Sequence, residues 1–420
     1  MTTPPYPAGD GGSASWRTLP SHLRWLGAEA ERLLEFAERS PHPAGGFAWL
    51  DEDGRPDLSR PVHTWLTARM THVFSLAQLM GRPGSGPLAD AGVAALSGRL
   101  HDDNAGGWYA AVGDEGPVDD TKQGYGHAFV VLAAASATVA GRDGARALLT
   151  DALDVFERRF WREDEGMLAE SWDADWTTPE PYRGMNANMH GVEAMLSAAD
   201  ATGERIWLDR ALRIVEHAVH GSAAGNGWRL VEHHDENWQP LPDYNIAEQA
   251  HPFRPYGVTI GHLLEWARLT LHVRAALGDA APGWLLDDAQ ALFATAVADG
   301  WSVDGSAGFV YTVDYGGTPV VRERMHWVLA EAIGAAAALH EVTGDGRYED
   351  WYRRWWDHAA SAFVDPAGGS WWHELGTDLR PSSTVWEGKP DVYHALQATL
   401  IPRLPLAPGL AAALAARLLR

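Results

Sequence analysis

Apolar residues recur three and four positions apart along many stretches of the chain, as at Leu329, Ile333 and Ala337. That is the spacing of one face of an α-helix. The pattern predicts helices over residues 87–100, 125–140, 145–159, 188–201, 206–220, 259–277, 284–298 and 325–343. Pro87 suits a first helical position, where its missing N–H has no intrahelical partner to lose. Short turns separate the helices, among them Gly141-Arg142-Asp143-Gly144, Thr202-Gly203-Glu204 and Thr343-Gly344-Asp345-Gly346. A second, shorter pattern alternates with the helix pairs: a glycine followed by aromatic or large apolar residues in a strand-like run. Its copies start at Gly46, Gly107, Gly166, Gly227, Gly308 and Gly369, spaced by 61, 59, 61, 81 and 61 residues. One insertion interrupts an otherwise regular period.

Six helix pairs, each joined through a short β-like loop, predict an all-α fold: one (α/α)6 barrel of two concentric helix rings, spanning residues 16–420. An open α-solenoid is the rival arrangement. Length alone, 420 residues, would suggest two or three domains, and the repeat overrides it. Residues 1–15 are rich in Gly, Pro, Ser and Thr and read as a disordered tail, with no apolar signal core. Residues 408–420 read as a last helix packing on the body.

The net charge of −23 argues against a nucleic-acid or anionic-membrane surface, because phosphate would be repelled. No apolar run reaches transmembrane length. Cysteine is absent, which excludes disulfides, thiolate metal sites and a cysteine nucleophile, and leaves a cytoplasmic location unopposed. Half of the aromatic residues are tryptophan, 21 against 11 Tyr and 10 Phe. An indole offers a flat apolar face and one N–H donor, a combination that suits sugars.

Three histidines stand in rich local settings. Asn186 and His190 are four apart and share a helical face. His262 and Glu265 are three apart, a spacing by which a carboxylate can fix an imidazole's tautomer and raise its basicity. His394 follows the polar loop Gly388-Lys389-Pro390-Asp391 and is a candidate general base. Trp65 with Arg69, and Trp327 with Glu331, each place an aromatic and a polar group one helical turn apart; Lys122, Tyr125 and His127 form another dense cluster. His101-Asp102-Asp103 and His233-His234-Asp235-Glu236 look like metal ligands but lack a helical histidine pair, and read as solvated loops. Gly81-Arg82-Pro83-Gly84-Ser85-Gly86 is a turn and not a phosphate loop. Glu170, Glu232 and Glu374 each follow a repeat loop, and paired carboxylates of that kind keep a glycoside hydrolase in view. A lectin-like sugar-binding module is a third class.

Taken together, Trp65-x-x-x-Arg69, Lys122-x-x-Tyr125-x-His127, Asn186-x-x-x-His190, Gly261-His262-x-x-Glu265-Trp266 and Gly388-Lys389-Pro390-Asp391-x-Tyr393-His394 resemble the N-acylglucosamine 2-epimerase superfamily. The resemblance runs over residues 16–402. The last motif, with Phe253-Arg254-Pro255-Tyr256-Gly257, is most similar to the mannose and sulfoquinovose isomerase branch. It implies the (α/α)6 barrel, no metal or other cofactor, and a monosaccharide substrate handled by a monomer or homodimer. It implies aldose–ketose isomerisation of mannose and fructose through a cis-enediol, with sugar 2-epimerisation or sulfoquinovose isomerisation as alternatives. His394 would take the C2 proton and return it to C1. His262, oriented by Glu265, would open the sugar ring and move a proton between O1 and O2. Arg69 and His190 would steady the oxyanion, and Trp65, Tyr125, Asn186, Trp327 and Glu331 would hold the sugar. Trp372-His373-Glu374 carries no glutamine where the sulfonate enzymes are expected to have one, while Arg254 is an available anion contact.

Overall fold

The computed structural model describes residues 14–420. In chain order its helices are α1 (Pro20–Ala37), α2 (Thr64–Leu79), α3 (Ser85–Leu96), α4 (Gly124–Val139), α5 (Ala145–Val155), α6 (Met185–Thr202), α7 (Arg205–Val215), α8 (Ile260–Leu277), α9 (Trp284–Gly300), α10 (His326–Thr343), α11 (Gly346–His358), α12 (Tyr393–Leu400) and α13 (Leu410–Ala415). The even-numbered helices α2 to α12 form an inner ring, each touching the next, and α12 touches α2 to close it. The closed toroid, and not the open solenoid, is the fold. The odd-numbered helices α1 to α11 pack outside it.

The two rings differ in sequence for a physical reason. An inner helix is covered on every side: residues 126–137 of α4 are all buried, and many are alanines that let neighbouring helices approach. An outer helix has one wet face. In α11 the buried aromatic side chains are Tyr348, Trp351, Tyr352, Trp355 and Trp356, spaced by three and four. Three outer helices end in π-helical turns, at Phe156–Phe160, Glu216–Ala223 and Ala359–Phe363. The helices expected to run to residues 159 and 220 therefore change pitch before they stop. Pro87 lies third in α3, not first.

The six repeated glycines all have positive φ, from 61° at Gly227 to 99° at Gly308, a conformation that only glycine adopts without strain. Each turns the chain from an outer helix into the run that follows. Those runs lead into short ladders that link neighbouring helix pairs around one face of the toroid. Tyr182–Gly184, just before α6, pairs with His233–Asp235, and Arg324–Met325, before α10, pairs with Glu374–Leu375. The belt closes where the Lys389 N–H donates to the Leu50 carbonyl at 2.9 Å.

The opposite face is stoppered by α13, which contacts α2, α4 and α6. The helix expected over residues 408–420 is thus present but short. Arg17 and Arg420 both pair with Glu341, near the end of α10. Of the tail expected over residues 1–15, all but Ala14 and Ser15 lie outside the described residues; the Ser15 hydroxyl donates to Glu349 at 2.7 Å. Among the described residues no helix is long and apolar enough to cross a membrane.

Candidate active site

Every inner helix starts at the belted face, so the positive ends of six helix dipoles converge on one cavity. None of these helices carries a side-chain cap at its N-terminus. The first two turns supply the lining. Trp65 and Arg69 come from α2, Tyr125 from α4, Asn186 and His190 from α6, His262 and Glu265 from α8, Trp327 from α10 and His394 from α12. Nine of the residues singled out by sequence therefore meet in one place.

His394 and His262 flank Trp327, whose ring centroid lies 5.7 Å from one and 5.4 Å from the other. Each is tethered from behind. His394 Nδ1 is 2.9 Å from Glu331 Oε1, and His262 Nδ1 is 3.0 Å from Glu232 Oε2. Each Nδ1–H therefore donates to a buried carboxylate, which leaves Nε2 of both rings as the basic atom. Neither Nε2 has a protein partner among the described residues. Burial lowers the His394 pKa against the opposing pull of Glu331, so the ring is neutral at pH 7.

The tether of His262 corrects the expectation from spacing. Glu265 lies one turn deeper and turns toward Arg268 and His190, at 3.4 and 3.8 Å. Glu331, unlike Glu265, does not line the cavity; it stands behind His394 and also takes Arg268 Nε at 2.7 Å. Burial raises the Glu265 pKa well above the carboxylate range, and Glu331 adds to it. Burial would raise Glu331 too, but Arg268 and the His394 hydrogen bond outweigh it and hold that carboxyl at about 2. Burial pushes His190 down to about 4, so its ring is neutral as well.

Arg69 is buried, donating to Tyr125 Oη at 2.9 Å and to Asp391 Oδ2 at 3.3 Å. Its guanidinium also lies over the Trp65 ring, 5.2 Å from the centroid. A fixed cation in this place can stabilise an oxyanion without reorganising. Arg254 is placed differently. It lines an outer vestibule of about 700 Å³ that adjoins the cavity, where it is held by Glu180 at 2.7 Å and Glu170 at 3.4 Å. Its charge is already met by carboxylates, which corrects its reading as an available anion contact. Lys122 and His127 also face away from the cavity. Lys122 binds Asp102 at 2.7 Å, and His127 accepts from the Trp108 N–H at 3.1 Å.

His233 and His234 are buried, contrary to the solvated-loop reading; His233 is fixed between Tyr182 Oη at 2.6 Å and the Pro255 carbonyl at 2.8 Å. Glu374 accepts from the backbone N–H groups of Thr384, Val385 and Trp386 and so shapes the loop before His394. Two buried groups have the spacing of metal ligands, His190 with Glu193 and Glu265, and Glu265 with Glu331 and His394. In the second, the Arg268 guanidinium already bridges the two carboxyls.

Sequence reasoning gave no site role to Phe253, Trp386, Tyr311, Asp391, His326 or His373, which also line the cavity, although Phe253, Asp391 and His373 fall within the motifs it singled out. Phe253 arrives from the insertion in the repeat and packs edge-on against Trp65, Tyr125 and Trp386. The insertion's length was the available signal for a cavity cover. His326 and His373 stack with centroids 3.8 Å apart. They sit in different repeats, and nothing local announces their meeting.

Such a site, two tethered histidines across an aromatic wall at the mouth of an (α/α)6 toroid, defines an acid–base enzyme. The family model for N-acylglucosamine 2-epimerase (GlcNAc 2-epimerase) matches residues 45–398, and the chain belongs to that family. A protein of Thermobifida fusca named D-mannose isomerase is 60% identical over 95% of this chain and 98% of its own length. One of Pseudomonas cannabina pv. alisalensis with the same name is 52% identical, over 96% of this chain and 97% of its own. A crystal structure of D-mannose isomerase superposes with a TM-score of 0.84 at 29% identity, covering 91% of this chain and 98% of that one.

Proposed function

We propose that the protein is an aldose–ketose isomerase that interconverts D-mannose and D-fructose through a cis-enediol. The carrying observation is the pair of histidines, His394 and His262, each with Nδ1 bound to a buried carboxylate and Nε2 toward the cavity.

The C2 hydrogen of a ring-opened aldose is weakly acidic, so its removal needs a positioned base and a place for the developing charge. His394 Nε2 takes the proton. The imidazolium that forms is held by Glu331 through Nδ1–H, and it returns the proton to C1 on the same face. His262, kept in one tautomer by Glu232, serves ring opening and carries the proton between O1 and O2. Arg69 faces the enediolate oxygen, and Asn186, Trp65 and Trp327 hold the chain of the sugar. A single base on one face suffices for isomerisation, whereas 2-epimerisation must deliver a proton to the opposite face.

The test is D-mannose deuterated at C2, followed by NMR. Fructose is expected as the dominant product, with part of the deuterium at C1, because a shielded base can return its own deuteron before solvent exchange. Glucose as the main product, with only a trace of fructose, would establish a 2-epimerase instead.

A further inference from the structure

We propose that His326 is a specificity-determining residue, its Nε2 accepting a hydrogen bond from a sugar hydroxyl outside the reacting C1–C2 pair. The inference rests on the isomerase reading above. His326 is the first residue of α10, is 4% exposed, and lines the cavity beside Trp327. Its Nδ1 lies 3.2 Å from the His373 carbonyl, which can only accept, so Nδ1 carries the hydrogen and Nε2 carries the lone pair. That Nε2 is buried with no hydrogen-bond partner among the described residues.

Other buried ring nitrogens share this lack, but His72 and His272 do not line the cavity, and the Nδ1 of His190, which does, has the Glu193 and Glu265 carboxyls beside it at 3.5 and 3.8 Å. His326 therefore brings an orphan acceptor to the lining of the candidate cavity. A buried polar atom of this kind costs free energy until something pairs with it.

The ring is held rigidly. The backbone N–H of His326 also donates to the His373 carbonyl, at 3.0 Å, and the two rings stack at an interplanar angle of 25°. His373 is fixed in turn, with Nε2 3.1 Å from the Asp391 carbonyl. Burial, with His394 adding to it, pushes the His326 pKa down to about 3, so the acceptor persists at working pH. Its ring centroid lies 6.4 Å from that of His394, which takes the C2 proton. That separation sets Nε2 beside a hydroxyl further along the sugar.

The experiment pairs sugar and protein changes. kcat/KM is measured for D-mannose and for 3-, 4- and 6-deoxy-D-mannose with the native protein and with His326→Asn and His326→Gln. Asparagine keeps a donor for the His373 carbonyl but withdraws the cavity acceptor; glutamine can restore an oxygen near Nε2. The native protein is expected to lose roughly 10- to 100-fold on one deoxy sugar, the range that follows from leaving one buried group unpaired. His326→Asn should lose about as much on D-mannose and no longer distinguish that deoxy sugar, and His326→Gln should recover part of both. Native discrimination that survives in a folded His326→Asn variant overturns the inference. So does a native profile flat across the three deoxy sugars, whether or not any variant folds. If the native protein leaves D-mannose unconverted, the isomerase reading falls and takes this one with it.

Discussion

Glu265 and Glu331 compete for one guanidinium, that of Arg268; burial lifts the Glu265 pKa well above the carboxylate range, while Arg268 and His394 hold that of Glu331 down. Glu331 has the closer contact and a histidine donor besides, whereas Glu265 sits in a buried position already beside a negative neighbour. Glutamine is a neutral isostere, so it should replace the two unequally. We expect Glu265→Gln to keep kcat on D-mannose within a few-fold, and Glu331→Gln to lose it by about 10²-fold, because the latter removes the charge that steadies the His394 imidazolium. Steady-state kinetics on the two variants decide it, and a larger loss in Glu265→Gln than in Glu331→Gln would mean the charge has been placed on the wrong carboxyl. The same residues show what sequence can and cannot disclose. Spacing correctly put His262 and Glu265 on one face of α8, but a shared face does not decide which atoms meet. The actual partner, Glu232, stands 30 positions upstream and arrives through the ladder between Tyr182–Gly184 and His233–Asp235.

At the scale of the element, five of the six inner helices deliver their second residue to the cavity: Trp65, Tyr125, Asn186, Trp327 and His394. The i, i+4 partners of the first four follow one turn below. This rhythm was legible because helical periodicity is written in side-chain chemistry. The π-helical turns were not, since adding a residue to a turn leaves the apolar pattern nearly unchanged. In α8 the second residue is Gly261, and the reason is spatial. A Cβ there would lie 2.3 and 2.5 Å from atoms of the Trp327 ring and 2.8 Å from Val328. We therefore expect Gly261→Ala to push Trp327 out of its place between the two histidines. Overpacking of this kind costs about 1–3 kcal/mol. A lowered melting temperature together with at least roughly tenfold lower kcat/KM should follow, each 1.4 kcal/mol being a factor of ten. A variant that melts early but turns over normally would show that Trp327 packs without positioning the sugar.

For the whole molecule, the repeat of near-constant period announced six helix pairs, and composition announced an aromatic, acidic protein. Closure was less visible. It depends on α12 meeting α2 and on Lys389 reaching Leu50, contacts between residues more than 300 positions apart that no local period records. Function divides along the same axis: the belted face holds the chemistry, and the face stoppered by α13 holds none of the lining residues. The shared grip of Arg17 and Arg420 on Glu341 carries a consequence for the order of the polypeptide itself. Residues 17 and 420, gathered on one carboxylate, can be joined through a linker, and the ring cut elsewhere, without moving any inner helix. The exposed turn between Asp143 and Gly144 lies on the face away from the cavity. A circular permutant opened there, with its former ends joined by a flexible linker, should fold and isomerise D-mannose within about tenfold of the native rate. A helical, soluble permutant without turnover would mean that the cavity needs the original order of the helix pairs and not merely their arrangement in space.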